Sequence, residues 1–121
     1  PDTKVFLHCC GSIYQLIPHL IDAGIEILNP VQITAQGMNP HKLKKEFGKK
    51  LTFWGGGARM QTTAFSGTAD DLYREARELI DIFSPGGGYV FNQVHNILAS
   101  VPPEKVLAIY QAALDARRKS Q

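Results

Sequence analysis

The chain lacks several features that define whole classes of protein. It has no apolar run of about 18 residues, the length that crosses a bilayer, and no signal peptide is visible. Its two cysteines are the neighbours Cys9 and Cys10. Adjacent residues on a strand point to opposite faces, so no disulfide is expected between them. These absences favour a reducing, cytoplasmic setting and no membrane partner.

A strong charge of either sign is also lacking, since the formal net charge is +2. One cluster of positive charge interrupts this balance, but Glu46 lies inside it and no aromatic residues interleave with it. A solvated helix face is therefore favoured over a nucleic-acid interface. The cluster comprises Lys42, Lys44, Lys45, Lys49 and Lys50.

What the sequence does contain is one pattern repeated four times: an apolar run, a polar break and a helical stripe. The apolar runs predict strands at residues 5–7, 25–32, 51–57 and 89–97.

The helical stripes carry their own start and stop signals. Ser12 is expected to cap the first helix and Pro18 to kink or split it. Asn39 is the expected cap of the second, followed by Pro40, and Thr68 that of the third. The fourth stripe is expected to bury Val106, Leu107, Ile109, Tyr110, Ala113 and Leu114.

Alternating strands and helices predict an α/β fold with a parallel sheet. Four βα units in 121 residues are half of a (β/α)8 TIM barrel, which takes about 250 residues. A small open doubly wound domain is the rival, but its G-x-G-x-x-G phosphate fingerprint is absent. Because the chain begins at Pro1, it is expected to be a fragment, with residues 1–121 forming one half-barrel domain.

Three residues at the carboxyl ends of these strands are candidate metal ligands. His8 and Cys10 are two apart, so they share a face of the first strand, and imidazole with thiolate suits zinc. His95, near the end of the fourth strand, is the candidate third ligand. The alternative is a polar strand end with a satisfied core histidine, because H-x-C is a short motif.

Neutral hydrogen-bonding groups also gather at this edge, as suits orientation of a polar substrate. Three consecutive glycines end the third strand and allow either close approach of a ligand to the backbone or a tight turn. Trp54, which precedes them, is expected in the core. No Asp or Glu lies within these strand ends, so no acid or base catalyst is identified. The candidate substrate contacts are Asn29, Gln32, Gly55, Gly56, Arg59, Gln61 and Asn92.

Four long segments in order resemble the C-terminal half of the uroporphyrinogen decarboxylase superfamily. They read LHCCGSIYQLIPHLIDAGIEILNPVQ, GMNPHKLKKEFGKKLTFWGGG, GGGYVFNQVHNI and VPPEKVLAIYQAA. The resemblance implies a (β/α)8 barrel and two possible activities. The decarboxylases remove carboxylates from the acetate side chains of uroporphyrinogen without metal or cofactor. Their acidic catalytic residue and substrate-binding arginines lie mostly in the N-terminal half of the barrel.

A methyltransferase branch of the superfamily carries H-x-C and a later cysteine, which bind zinc and activate a thiol for methyl exchange with a corrinoid protein. His8 and Cys10 resemble that branch, whereas His95 stands near the later cysteine position. His95 also resembles the histidine of a Gly-His-Gly strand end in the decarboxylases. Arg59 replaces an Asp that often follows WGGG in relatives, whereas Gln61 is kept. The change suggests a different or altered substrate, or alternatively a degenerate copy.

The resemblance makes zinc-dependent methyl transfer to or from a corrinoid the first hypothesis. Metal-free uroporphyrinogen decarboxylation in porphyrin biosynthesis is the alternative. A third hypothesis is a non-catalytic assembly module, since a half barrel has open sheet edges that invite homodimer formation. In each case the chain by itself is expected to be inactive.

Overall fold

The computed structural model describes residues 2–119 of the chain. The strands are β1 (Phe6–His8), β2 (Ile27–Asn29), β3 (Thr52–Trp54) and β4 (Tyr89–Val90). The helices are α1 (Ile17–Asp22), α2 (Pro40–Phe47), α3 (Thr63–Ser66), α4 (Ala69–Phe83) and α5 (Pro103–Lys119). No helix within residues 2–119 is both long and apolar enough to cross a membrane.

The four strands form one parallel sheet in the order β1-β2-β3-β4. His8 is in register with Asn29, and Trp54 with Val90. A (β/α)8 barrel adds its strands in this consecutive order, whereas a doubly wound sheet reverses direction near its centre. The predicted α/β class with four βα units is confirmed, and the chain has the architecture of half a barrel. The strands β2, β3 and β4 are shorter than the predicted apolar runs, whereas β1 has the predicted length and is shifted by one residue.

The core lies on one face of the sheet, against the helices. Leu28 and Phe53 point into it from the strands, and Leu79 and Phe83 meet them from α4. A second apolar cluster joins α3, α4 and α5, and contains Ala58, Met60, Ala64, Leu72, Val101 and Ile109.

The opposite face of the sheet is open. Phe6 and Trp54 are 47% and 36% exposed there, and their rings meet edge to face at 5.4 Å. The expectation that Trp54 belongs to the core is wrong. Side chains alternate across the sheet, and residue 53 occupies the covered face, so residue 54 is placed on the other one.

Side-chain caps mark the starts of α2 and α4, as predicted. The Asn39 side chain accepts from the Lys42 amide with Pro40 following, and Thr68 forms a reciprocal capping box with Asp71. Pro18 lies in the first turn of α1, after a separate 3-10 turn at Tyr14–Leu16, so the predicted split is confirmed. Ser12 does not cap this segment, because its hydroxyl donates to the Gln36 carbonyl oxygen.

The predicted inner face of the last helix is partly wrong. Ile109 and Ala112 are buried against α4, whereas Leu107, Tyr110 and Leu114 are 69%, 43% and 52% exposed. Both faces of α5 carry apolar residues, so the stripe alone did not decide which one packs inward.

Candidate metal centre

The carboxyl end of β1 brings one imidazole and one thiol together. His8 is the last residue of β1, and the chain stays paired one residue further because the Cys9 amide donates to the Asn29 carbonyl oxygen at 2.7 Å. This extension aims Cys10 in the same direction as His8, as the two-residue spacing predicts. The Cys10 Sγ atom lies 3.4 Å from His8 Nε2.

Asn29 fixes the orientation of the His8 ring. Its amide nitrogen donates to the Trp54 carbonyl oxygen at 2.9 Å, which leaves Oδ1 as the atom 2.7 Å from His8 Nδ1. An amide oxygen only accepts, so Nδ1 carries the proton and the Nε2 lone pair points toward Cys10. The same arrangement around a metal-bound histidine fixes the tautomer that binds the metal.

His95 completes this group from the far end of the sheet. The prediction placed it near the end of the fourth strand, but β4 ends at Val90. Beyond β4, Val94 forms an isolated parallel bridge with Arg59. The next residue, His95, has a φ of 60°. This left-handed backbone brings Nδ1 to 3.7 Å from Cys10 Sγ. Its Nε2 atom is buried and has no hydrogen-bond partner within residues 2–119.

The donor set matches zinc in its chemistry. With Zn–S and Zn–N bonds of about 2.3 and 2.0 Å, sulfur and nitrogen at the corners of a tetrahedron are about 3.5 Å apart. The distances of 3.4 and 3.7 Å from Cys10 bracket that value. However, no three His, Cys, Asp or Glu side chains within residues 2–119 form a complete metal-binding group as they stand. His8 and Cys10 are therefore the pair whose spacing suits zinc, and the role of His95 as a third ligand stays a prediction.

A chain of side-chain amides links the loops beyond the first three strands. The Gly11 amide donates to Gln32 Oε1 at 2.7 Å, and Gln32 Nε2 lies 3.4 Å from Gln61 Oε1. The same Gln61 oxygen accepts from Thr34 Oγ1 at 2.7 Å. These amides therefore hold the loops of the site together, and their predicted role as substrate contacts stays a prediction.

Arg59 is held by a carboxylate inside the fold. Glu75, on α4, accepts from the Arg59 backbone amide at 2.6 Å and from its Nη1 atom at 2.9 Å. Thr63 Oγ1 donates to the same carboxylate at 2.7 Å. Glu75 was not among the predicted site residues, because the prediction considered the strand ends and Glu75 reaches this edge from a helix. Arg59 thus has an internal counter-charge, and substrate binding by its remaining nitrogens stays a prediction.

The glycines after β3 form a tight turn. Gly55 and Gly56 have φ values of 119° and 76°, which disfavour any side chain. A Cβ atom on Gly56 would lie 3.1 Å from the Val31 Cβ atom, so the turn packs against protein. Contacts of these glycines and of Asn92 with a substrate stay predictions.

The remaining predicted histidines and cysteine lie away from the site. His19 and His41 are exposed on α1 and α2, as expected. Cys9 is half-buried and packs against the main core, also as expected for the face opposite Cys10. Both thiols are free. The chemistry of this edge therefore centres on Cys10.

Comparison with known proteins agrees with this architecture. Residues 1–115 match the family described as uroporphyrinogen decarboxylase (URO-D). A uroporphyrinogen decarboxylase from Nitrosococcus oceani is 32% identical over 71 residues, which are 59% of this chain and 19% of that protein. The matched segment thus spans about a fifth of that relative's length.

A solved structure, described as a methyltransferase from Methanosarcina mazei, superimposes with a TM-score of 0.74 at 22% identity. The match covers 96% of this chain and 32% of that one. At this identity it establishes a shared fold. The family match over residues 1–115 shows that this protein belongs to the uroporphyrinogen decarboxylase (URO-D) family.

Proposed function

We propose that the chain forms the metal-binding half of a zinc-dependent methyltransferase of the URO-D family. The observation that carries this proposal is the contact of 3.4 Å between Cys10 Sγ and His8 Nε2, at the carboxyl edge where barrels bind their ligands. The shared fold with a methyltransferase supports it.

In this proposal, His8 and Cys10 hold zinc and His95 supplies the third ligand. Zinc, if bound there, would lower the pKa of a substrate thiol, so that the sulfur releases its proton and becomes a better acceptor of a methyl group. Asn29 holds the His8 proton on Nδ1 so that Nε2 stays available. Cys9 packs in the core and takes no part.

The substrate lies over the same edge, against the amides of Gln32 and Gln61. Exchange of the methyl group with a corrinoid requires a corrinoid protein to approach this carboxyl edge of the sheet. The free state of both thiols agrees with a reducing, cytoplasmic location.

Metal content tests the proposal directly. The chain is purified without chelator and its zinc is measured by elemental mass spectrometry, alongside Cys10→Ser and Cys9→Ser. We expect about one zinc per chain, lost in Cys10→Ser and kept in Cys9→Ser, because only Cys10 contacts the imidazoles. Zinc retained by Cys10→Ser would refute the assignment, and a metal-free wild-type chain would favour the alternative below.

The alternative is metal-free decarboxylation of a porphyrinogen. The 32% identity to a uroporphyrinogen decarboxylase favours it. Arg59 would then bind a substrate carboxylate, although its ion pair with Glu75 already offsets its charge. Saturable binding of a porphyrinogen by a full-length protein that contains this chain, unaffected by zinc, would support it.

We further propose that the isolated chain forms a homodimer through its open sheet, in line with an assembly role. Phe6 and Trp54 supply exposed apolar surface on that face. The strand edge of β1 supplies unpaired backbone groups that a second copy can bind.

A further inference from the structure

A second concave site lies at the amino ends of the strands, at the opposite edge from His8 and Cys10. It is a cavity of about 790 Å³, open to solvent, between the end of α2 and the glycine loop that precedes β4. Its volume is within the range of about 300–1,000 Å³ that small-molecule sites occupy. The cavity lining includes Lys44, Lys45, Lys49, Lys50, Glu26 and Gly86.

The walls of this cavity concentrate positive charge in a chain whose overall charge is only +2. Five lysines line it, against one carboxylate. That carboxylate, Glu26, is already paired with Lys4 at 2.7 Å. Lys44, Lys45, Lys49 and Lys50 form no ion pair within the described part of the chain. Four of the five lining lysines therefore have no carboxylate partner within residues 2–119.

Neighbouring structure does not neutralise these groups. The Lys44 ammonium donates to the Gly87 carbonyl oxygen at 2.6 Å, which ties α2 to the glycine loop. Partial burial lowers the pKa of Lys44, as expected for an ammonium group without an anionic partner. The carboxyl end of α2 contributes a partial charge of about −0.5, which offsets only part of one lysine. The cavity keeps a surplus of positive charge that a multivalent anion would balance.

The shape and lining of the cavity narrow the class of anion. No aromatic side chain is among the described residues that line it, so it has no platform for stacked bases of a nucleic acid. Its concave form does not suit a flat membrane surface. Lysine ammonium groups bind phosphate as point charges, and several of them spread along one cavity match a chain of phosphates better than a single one.

We propose that this cavity binds a linear polyphosphate group, carried as inorganic polyphosphate or as the phosphate chain of a nucleotide. Lys45, Lys49 and Lys50 contact the phosphates. Gly86 leaves room for them, since an added Cβ atom there would meet nothing within 4 Å. This site is independent of the zinc centre and does not require the proposed methyl transfer.

Isothermal titration calorimetry of the chain with sodium tripolyphosphate, at about 0.15 M salt, tests the proposal. We expect saturable binding, weakened at least about tenfold in the double variant Lys45→Gln/Lys49→Gln. The control is Lys42→Gln/Arg118→Gln, which removes the same charge outside the cavity. Lys42 lies over the Tyr14 ring and Arg118 near Asp115, so the control is expected to change affinity by less than about twofold.

Two further ligands distinguish the sources of the phosphate chain. If ATP binds much more tightly than tripolyphosphate, the ligand is a nucleotide. If the two bind equally, the cavity recognises the phosphate chain alone. Adenosine, which has no phosphate, is expected not to bind. Amide NMR shifts at Gly86 and Gly88 on titration would place the ligand in the cavity without any variant. No heat at about 1 mM tripolyphosphate, or equal weakening in both double variants, would overturn the proposal.

Discussion

Asn29 Oδ1 and His8 Nδ1 lie 2.7 Å apart, across neighbouring parallel strands at the same register position. The Asn29 amide nitrogen is fixed in turn by the Trp54 carbonyl oxygen on the next strand. Three strand ends therefore cooperate to orient one imidazole toward Cys10. Such support is what a metal ligand requires, and it gives the first prediction.

Asn29→Ala should lower zinc affinity by about 10- to 100-fold, the usual effect of removing a group that orients a histidine ligand. The measurement is competition with a chromophoric chelator. Gln15→Ala, an exposed residue of the 3-10 turn, is the matched control and should leave affinity unchanged. Equal affinity of Asn29→Ala and wild type would show that the hydrogen bond has no role in metal binding.

Glu75→Gln should destabilise the fold by about 2 kcal/mol, since it weakens three hydrogen bonds to a charged acceptor. This loss of stability is smaller than the one expected for a fully buried ion pair, because the Arg59 side chain is 32% exposed. Urea unfolding measures it. Glu78→Gln, on the exposed side of the same helix, should change stability by less than about 0.5 kcal/mol; equal effects would contradict the assigned role of Glu75.

The capping box of α4 should make stability depend on pH. Hydrogen bonds from the Thr68 backbone amide and hydroxyl lower the pKa of Asp71 below its usual value of 3.8. A depressed folded-state pKa stabilises the fold above the unfolded pKa, and this contribution disappears as pH falls through the folded pKa. Asp71→Asn should therefore be less stable than wild type at pH 6, and the gap should close as the pH falls below 3.8 and through the lowered folded-state pKa.

Denaturant unfolding at several pH values measures that gap. Asp70→Asn, in the same turn but outside the capping box, is the control. A gap between Asp71→Asn and wild type that persists unchanged at low pH would mean that the carboxylate charge is not its source.

The open sheet should cause self-association. Light scattering at about 100 μM should report a dimer for the wild-type chain, because exposed apolar surface and open strand edges associate in this range. Trp54→Arg should shift it toward monomer by placing a charge in the centre of that face. Leu16→Arg, at an exposed apolar position on the 3-10 turn, should remain dimeric. A monomeric wild type would remove the proposed interface.

Local sequence signals determined much of the fold. Four repeats of strand and helix predicted the parallel sheet, and the caps at Asn39 and Thr68 were readable because each depends on side chains within three residues. The two-residue spacing of His8 and Cys10 likewise placed both on one side of β1. These are short-range relationships, which backbone geometry translates directly into structure.

Only the tertiary structure decided what each polar group contacts. Glu75 lies 16 residues from Arg59, and His95 lies 85 residues from Cys10. The outward direction of Leu107 and the open position of Trp54 also depend on which faces other elements cover. Sequence periodicity fixes the faces of a helix or strand, but packing against distant elements selects the buried one. For that reason the shared face of His8 and Cys10 could be predicted, whereas the partners of these polar groups could not.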